Sequence, residues 1–289
     1  MRSRVQLRAH AKLNLYLSIE GRREDGFHDL VSVFHAIDLC DDVVIGPGDG
    51  ITMAMEVPGT VDGPANLAAR ALTSVGAEGF GVEITKRIPL ASGLGGGSAN
   101  AAAVLLGSRD LMRSPPSEET LLRMGEDLGS DVPFFVEGDG TALVRGRGER
   151  VSLIPCPHLF WFVIGVTFSP LATADVYARW DELGEASAAP GPVTDMIDCI
   201  EAGDAAGVGM LLHNDLEAPA IDLSPELAAK KEALLESGAL GALVSGSGPT
   251  VFGLASGPEH AQAIAEASMG LFDRVHVAAS SPRSVERVR

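Results

Sequence analysis

A regular alternation of apolar and polar side chains opens the chain. From Val5 to Ile19 every odd position is apolar, whereas the even positions are polar or amphipathic. A period of two over this length predicts a long half-buried β-strand, or two strands joined at a bend. Successive residues on one face of a strand lie about 7 Å apart. The polar face predicted in this way carries His10, Lys12, Asn14 and Tyr16.

The rest of the chain mixes strands and helices. Strands are predicted at 30–39, 81–88, 159–168 and 273–279, a hairpin at 141–154, and two strands around a glycine turn at 240–255. Helices are predicted at 66–79, 99–112, 117–128 and 258–269, with a loop at 186–192. Because the strands and helices do not alternate as regular βαβ units, the pattern favours an α+β fold over a doubly wound sheet.

Length and composition limit the class of protein. A chain of 289 residues suggests about two domains, and 46% hydrophobic with 21% charged residues is ordinary for a globular protein. The net charge of −17 leaves no general attraction for nucleic acid or for an anionic membrane surface. Any phosphate ligand must therefore be bound locally, by backbone amides and a few placed cations.

Cysteine spacing and hydropathy predict a cytoplasmic protein. Cys40, Cys156 and Cys199 are far apart and form no C-x-x-C motif, which argues against a disulfide framework and a zinc ribbon. The first ten residues contain no hydrophobic signal core, and the sequence has no run of about 18 apolar residues. It also has no His/Cys cluster and no H-E-x-x-H motif, so we expect no transition-metal site.

The strongest functional signal is a glycine-rich loop at residues 89–98, between a predicted strand and an alanine-rich helix. Its four glycines permit positive φ angles and close approach of the backbone to a ligand. Consecutive amides and a helix that begins near Ser98 would favour an anion. The loop lacks the Gly-Lys-Ser/Thr of a Walker A motif and the third glycine of a dinucleotide fingerprint. It predicts a phosphate-binding loop of another type.

Two residues and one segment each have two interpretations. Asp131 is either the N-cap of a short helix, which the local sequence favours, or a carboxylate that accepts a proton or orients a hydroxyl. Lys12 is either a solvated strand lysine or a cation facing the site, in a chain with only four lysines. The segment SGSGP at 245–249 is by itself a hairpin turn, and no G-x-S-x-G elbow supports a serine hydrolase.

Together these segments resemble the GHMP small-molecule kinases. The first strand, PLASGLGGGSANAA and VSGSGPTVF occur in the order of that family's three motifs, and the resemblance spans residues 9–255. GRREDGFH, GSDVPFF and NDLE resemble the members that phosphorylate the 2-hydroxyl of 4-diphosphocytidyl-2-C-methyl-D-erythritol, in the non-mevalonate isoprenoid pathway. The resemblance implies N-terminal (1–155) and C-terminal (156–289) domains with the active site in the cleft between them. The last strand is a candidate to return to the N-terminal domain.

The resemblance also implies a mechanism, in which the γ-phosphoryl group of ATP, with Mg²⁺, is transferred directly to the substrate hydroxyl. Asp131 is expected to orient the hydroxyl and take its proton late, because a carboxylate with a pKa of about 4 is a weak base toward an alcohol. Lys12 is expected to keep Asp131 ionised and to stabilise developing negative charge. The resemblance therefore favours the catalytic interpretation of both residues.

The nucleotide-binding residues are also taken from the resemblance. The amides of residues 93–98 are expected to bind the β- and γ-phosphates, Ser98 to contact phosphate or Mg²⁺, and Asn66 and Lys86 to lie near the adenine. Ala99 stands where a serine is common, which removes one phosphate donor. The complete expected set is Asn66, Lys86, Pro89, Leu90, Ala91, Ser92, Gly93, Leu94, Gly95, Gly96, Gly97, Ser98 and Ala99.

On the substrate side, the resemblance implies that His28 reads cytosine. The rings of Phe27 and Tyr177 are expected to hold the base between them, although Phe27 stands where a tyrosine is usual and so lacks a hydroxyl. Asn14 is expected to face the methylerythritol portion, and Thr173 matches a substrate-side threonine.

Two alternatives remain open. One is another GHMP kinase, such as a homoserine or mevalonate kinase, although those lack the GRREDGFH segment. The other is a non-catalytic relative that senses a nucleotide or a small ligand, although such a protein would be expected to lose the base or the lysine. The expected partner is a small-molecule substrate, with no nucleic acid and no membrane.

Overall fold

The structure is a computed structural model that describes residues 4–59, 66–184 and 189–288. The strands are β1 (Val5–Arg22), β2 (His28–Pro47), β3 (Gly50–Met55), β4 (Phe80–Lys86), β5 (Thr141–Gly146), β6 (Arg150–Leu153), β7 (Trp161–Val166), β8 (His213–Asn214), β9 (Gly241–Val244), β10 (Val251–Ala255), β11 (Arg274–Ala279) and β12 (Val285–Arg287). The helices are α1 (Leu67–Ser74), α2 (Gly96–Leu111), α3 (Glu118–Leu128), α4 (Val132–Glu137), α5 (Thr173–Leu183), α6 (Val193–Ala202), α7 (Ala205–Leu211), α8 (Glu217–Leu223), α9 (Glu226–Glu236) and α10 (Pro258–Ala267). The predicted loop at 186–192 lies partly outside the described residues.

Within the described residues the larger sheet has eight strands, and it is built on the long antiparallel pair of β1 and β2. Its order is β12-β1-β2-β4-β3, with β5 and β6 beside the other part of β2. β2 is long enough to have two outer partners, because residues 30–35 pair with β5 and residues 42–47 pair with β4. β12 and β8 both pair with β1. Two segments from late in the chain are therefore part of the sheet that begins it.

The smaller sheet has four strands in the order β11-β7-β10-β9. The predicted strand, glycine turn and strand at 240–255 are confirmed as the antiparallel pair β9 and β10. The strand predicted at 273–279 is β11, which belongs to this sheet. The segment that reaches the larger sheet is instead β12, which was not predicted from the sequence pattern. Together the two sheets and their helices confirm the α+β class.

β1 confirms the predicted strand but not its half-buried character. Buried and more exposed residues alternate toward its two ends, whereas the whole run from Ala9 to Leu17 is buried. Leu7 packs among residues of α2, whereas Leu13 packs among residues of the smaller sheet. A register shift between His10 and Ala11 lies where this change of neighbours occurs, as expected for a bulge that bends a strand. The middle of β1 is therefore buried on both sides.

The predicted face of β1 also needs correction at Tyr16. A second register shift lies between Asn14 and Tyr16, and Tyr16 packs in the same apolar cluster as Leu13 and Leu15. An extra residue in one strand of a pair re-aims the side chains that follow it. Tyr16 therefore does not share a site with Lys12 and Asn14.

The caps show which helix predictions hold. As predicted, the Ser117 hydroxyl caps α3 by accepting a hydrogen bond from the Thr120 amide, and α3 ends before Gly129. The Asn66 side chain accepts hydrogen bonds from the amides of Ala68 and Ala69 and so caps α1. α1 ends five residues earlier than predicted, before Gly76 and Gly79, which have positive φ angles. α2 begins at Gly96 rather than near Ser98.

The alanine-rich helix α2 lies directly on the larger sheet. Most of its residues are buried, and a Cβ at Gly107 would come within 2.7 Å of side-chain atoms of Leu7 and Ile45. Small side chains allow this close approach, which places the N-terminus of α2 next to β1. No helix in the described ranges combines the length and the apolar character needed to cross a membrane.

Candidate active site

One cleft collects nearly all the predicted site residues. It has a volume of about 1020 Å³ and lies between the glycine-rich loop, β1, α5 and the turn between β9 and β10. Of the predicted residues, only Leu94 and Ala99 do not line it, because both are fully buried in apolar cores. The predicted residues that do line it are Lys12, Asn14, Phe27, His28, Asn66, Lys86, Pro89, Leu90, Ala91, Ser92, Gly93, Gly95, Gly96, Gly97, Ser98, Asp131, Thr173 and Tyr177.

The glycine-rich loop (residues 89–98) runs into α2 through a left-handed residue. Gly93 and Gly95 have φ angles of 77° and 71°, and Gly95 is the N-cap of α2. A Cβ at Gly95 would approach Lys12 and Phe135 within about 3.2 Å, whereas the only described residue that a Cβ at Gly97 would meet is Leu67, at 3.7 Å. The 16-residue α2 directs its unpaired N-terminal amides and its positive dipole end toward the cleft. This arrangement can bind an anion.

Lys12 and Asp131 meet beside this loop. Lys12 Nζ lies 3.7 Å from Asp131 Oδ2, donates to Asn14 Oδ1 at 2.5 Å and donates to the Gly93 carbonyl at 3.1 Å. Asp131 occupies the N-cap position of α4, but its side chain makes no capping hydrogen bond. The cap interpretation, which the local sequence favours, is therefore wrong for the side chain. Its carboxylate faces the cleft instead.

Burial affects the ionisation of Lys12. Lys12 is only 4% exposed. Loss of hydration lowers the pKa of Lys12, and the neighbouring Asp131 carboxylate partly offsets that effect. Asn14 is itself oriented, because its Nδ2 donates to Ser32 Oγ at 2.9 Å. The ammonium is thus held at one place, between a carboxylate and the glycine-rich loop.

Lys86 lines the cleft, but its ammonium has partners within the protein. Lys86 Nζ donates to Asp41 Oδ2 at 2.6 Å and to the Ile88 carbonyl at 2.7 Å. Asp41 Oδ1 also accepts the amides of Arg87 and Ile88. Burial lowers the pKa of Lys86, against the effect of Asp41. This buried pair fixes the chain at the entry to the glycine-rich loop.

The turn at 245–249 is more than a hairpin connection. Ser245 Oγ donates to the Gly93 carbonyl at 3.2 Å, so the turn packs directly on the glycine-rich loop. Asn214 Nδ2 donates to the carbonyls of Val244 and Gly246, both at 2.8 Å. The NDLE segment therefore holds the turn, and the turn closes the cleft on the side of Lys12 and Asn14.

Aromatic residues line the far end of the cleft. The His28 imidazole stacks on the Tyr177 ring, with centroids 5.0 Å apart and an interplanar angle of 23°. Phe27 is 52% exposed, and Arg147 lies over its ring at 4.9 Å. Thr173 Oγ1 lies 3.0 Å from Ser247 Oγ. Burial raises the pKa of the Tyr177 hydroxyl, which therefore stays neutral near neutral pH.

Among the described residues that line the cleft, three charged ones were not predicted from the sequence: Arg22, Arg147 and Asp181. Asp181 Oδ1 lies 2.8 Å from His28 Nε2, and its Oδ2 lies 3.3 Å from Arg22 Nη1. Asp181 follows Tyr177 by four residues, so the two share a helix face, and this spacing is the signal that points to it. No local sequence pattern points to Arg147, because it reaches the cleft only through the hairpin between β5 and β6.

Comparison with known proteins identifies the family. The family model for the GHMP kinases N terminal domain matches residues 63–139, and the family model for the GHMP kinases C terminal region matches residues 196–268. A 4-diphosphocytidyl-2-C-methyl-D-erythritol kinase from a Nocardioides species is 40% identical, covering 96% of this chain and 97% of the relative. A protein of the same name from Geobacter metallireducens is 42% identical, covering 91% of this chain and 93% of the relative.

Solved structures agree with this result. A 4-(cytidine 5'-diphospho)-2C-methyl-D-erythritol kinase matches with a TM-score of 0.78 and 35% identity, over 96% of this chain and 99% of that one. Homoserine kinase from Cytophaga hutchinsonii matches with a TM-score of 0.67 and 22% identity, over 100% of this chain and 98% of that one, and so shares the fold. The chain belongs to the GHMP kinases and, within them, to the 4-diphosphocytidyl-2-C-methyl-D-erythritol kinases.

Proposed function

We propose that this protein transfers the γ-phosphoryl group of ATP to the 2-hydroxyl of 4-diphosphocytidyl-2-C-methyl-D-erythritol. The observation that carries the proposal is the Lys12–Asp131 pair, 3.7 Å apart beside the glycine-rich loop. The cleft that contains it also contains His28, Phe27 and Tyr177. Its volume of about 1020 Å³ lies at the upper end of the range of about 300–1,000 Å³ typical of single-ligand sites, which suits two extended ligands.

In the proposed reaction, the substrate 2-hydroxyl attacks the γ-phosphorus. An oxygen–phosphorus bond forms to the hydroxyl oxygen, the bond from the γ-phosphorus to the bridging oxygen breaks, and ADP leaves. Asp131 orients the hydroxyl and receives its proton as the new bond forms. Lys12 offsets the negative charge that gathers on the transferred group, and its desolvated position makes that interaction stronger than in water.

The nucleotide phosphates are assigned to the glycine-rich loop and the N-terminus of α2. Magnesium in such sites is held by substrate phosphates and one or two carboxylates, and it neutralises charge on the transferred group. The Asp131 carboxylate, free of capping bonds, and the Ser98 hydroxyl are oxygen donors that fit this requirement. Among the described residues no group of three His, Cys, Asp or Glu could hold a metal ion, so the phosphates would supply most of the ligands.

The substrate is assigned to the other end of the cleft. Three cations that line the cleft, Lys12, Lys86 and Arg22, have carboxylate partners within 4.0 Å. Within the described part of the chain Arg147 has no such partner and stacks on Phe27. We assign Arg147 to the diphosphate of the substrate, whose negative charge a guanidinium binds well.

Two broader proposals accompany this function. We propose that the chain divides into domains near residue 155, which the two separate sheets support, with β12 returning to the first. We also propose a cytoplasmic location. The three cysteines are all free, as is usual for proteins of a reducing compartment.

The deciding experiment measures ADP release from ATP and Mg²⁺ with the cytidyl substrate, with homoserine and with mevalonate. We expect turnover with the cytidyl substrate alone. Asp131→Asn should lower kcat by about 10²–10⁴-fold, because the group that orients the hydroxyl and takes its proton is lost, while substrate affinity changes by a few fold.

Asp127→Asn is the matched control, since Asp127 is an exposed acid of the same region, and its kcat should stay unchanged. Turnover with homoserine or mevalonate instead would reassign the substrate within the family. No turnover with any of the three substrates would favour a ligand-sensing relative.

A further inference from the structure

The inference concerns how the ring of His28 is held, and it rests on the proposed function. Three side chains of α5 contact this one imidazole. Tyr177 stacks on it, Trp180 meets it edge-on at 5.4 Å, and Asp181 lies 2.8 Å from Nε2. The three residues are spaced three and four apart on the helix, so they share a face. α5 therefore fixes both the position and the orientation of the ring.

The chemistry of Asp181 decides which nitrogen of His28 carries a proton. An ionised carboxylate can only accept hydrogen bonds, so a contact of 2.8 Å requires the proton to be on Nε2. The other oxygen of Asp181 pairs with Arg22, whose Nη1 lies 3.3 Å away. In a neutral imidazole with the proton on Nε2, Nδ1 is an acceptor. Nδ1 has no hydrogen-bond partner in the ranges that the structure describes, and His28 lines the cleft.

We propose that Asp181 is the residue that makes this site selective for cytosine over uracil. It fixes the tautomer of His28 in which Nδ1 accepts a hydrogen bond. The exocyclic amine of cytosine is a donor and satisfies that nitrogen, whereas uracil carries a carbonyl oxygen at the same position. Two acceptors would then face each other in a partly desolvated site, which disfavours the uridine substrate. Asp181 acts through His28 and is a positioning residue.

The first measurement is the tautomer itself, which needs no substrate. Nitrogen-15 NMR of labelled histidine in the ligand-free protein should find the His28 proton on Nε2. Asp181→Ala should release this preference, whereas Asp181→Glu keeps a carboxylate on the same helix face and should retain it. Glu182→Ala is the matched control, because Glu182 pairs with Arg179 away from the cleft. A proton on Nδ1 in the unmodified protein would overturn the proposal.

The second measurement is selectivity. We expect Asp181→Ala to lower the ratio of kcat/KM for the cytidyl over the uridyl substrate by about tenfold or more, mainly through a higher KM for the cytidyl substrate. Asp181→Glu and Glu182→Ala should keep the original ratio, and thermal melting checks that each variant is folded. An Asp181→Ala protein that melts normally and keeps the full ratio would contradict the proposal.

Binding of CDP and UDP separates this inference from the proposed function. With a non-hydrolysable ATP analogue present, calorimetry should show a CDP preference that depends on Asp181. If the protein binds CDP in this way but phosphorylates no substrate, the proposed function fails and the inference stands. If it phosphorylates the cytidyl substrate and Asp181→Ala leaves the selectivity unchanged, the function stands and the inference fails. Equal binding of CDP and UDP by the unmodified protein would overturn the inference.

Discussion

At the scale of single residues, burial decides what Lys12 does. A lysine in an alternating strand is commonly solvated, and the sequence leaves that interpretation open. In the structure Lys12 is buried on both sides, with its ammonium between Asp131, Asn14 and the Gly93 carbonyl. A buried ammonium without partners is costly, so these contacts are what keeps it charged.

The altered pKa of Lys12 predicts an alkaline limit to activity. Burial lowers this pKa from the ordinary value of 10.5, so the ammonium loses its proton at a lower pH than an exposed lysine does. Because the proposed reaction needs the charged form, kcat/KM should fall as pH rises through that lowered value. A pH–rate profile measures this fall.

Lys231→Met is the matched control for that profile. Lys231 pairs with Glu217 outside the cleft, so its loss should leave the alkaline limb unchanged. Activity that stays constant up to pH 10.5 would contradict the assigned role of Lys12.

At the scale of elements, the glycine-rich loop shows why glycines of one motif differ in function. Gly93 has a φ of 77°, and a Cβ there would collide with the carbonyl oxygen of Ser245. Gly97 lies inside α2, and a Cβ there would meet Leu67 at 3.7 Å and no other residue of the described ranges. The packing of the loop on the turn requires a glycine at position 93, whereas at position 97 we propose that the glycine leaves room for a ligand.

This difference predicts opposite outcomes for two alanine substitutions. Gly93→Ala should lower the free energy of unfolding by about 2 kcal/mol or more, from backbone strain and the collision. Gly97→Ala should leave the free energy of unfolding unchanged or raise it by up to about 1 kcal/mol, since alanine is the better helix former. Gly97→Ala should nevertheless raise the KM for ATP, because the added methyl group narrows the space for phosphate at the glycine-rich loop.

Chemical denaturation and steady-state kinetics test the pair of substitutions, and each variant serves as the control for the other. Equal losses of stability in both variants would contradict this assignment.

At the scale of the whole molecule, His35 lies where the two sheets meet. Its ring nitrogens lie 2.9 Å from Thr141 Oγ1 and 2.7 Å from Ser280 Oγ, and it contacts the rings of Phe160 and Phe162. Burial lowers the pKa of His35 from 6.5 to about 4. The imidazole is therefore neutral in the folded protein at neutral pH.

This predicts a loss of stability in acid. Between pH 6.5 and 4 the unfolded chain binds a proton at His35 that the folded chain does not, so stability rises with pH in that window. The histidine contribution is fully present above pH 6.5 and is lost as pH falls toward 4, by about 3 kcal/mol in all. Denaturation of the unmodified protein and of His35→Gln at several pH values measures the difference.

His35→Gln should be less stable at pH 7 and should show a shallower dependence on pH. His158→Gln, at an exposed histidine, is the matched control and should keep the original slope. Parallel curves for the unmodified protein and His35→Gln would contradict the role given to burial.

Local signals in the sequence were sufficient for much of the fold and for many site candidates. The period of two in β1, the Ser117 cap of α3 and the glycine spacing before α2 all act over a few residues, so they can be recognised without the rest of the chain. The family could be recognised from its motifs for the same reason. Each motif is a short run of residues, and the motifs follow one another in the family's order.

Only the tertiary structure decided which of these segments meet. His28 and Asp181 are 153 residues apart, and Arg22 joins them through a different strand. The buried polar face of β1, the removal of Tyr16 from that face and the return of β12 also depend on how two sheets pack. A local pattern records what one strand or helix prefers, but contacts between distant segments depend on the burial of both, and that is a property of the whole fold.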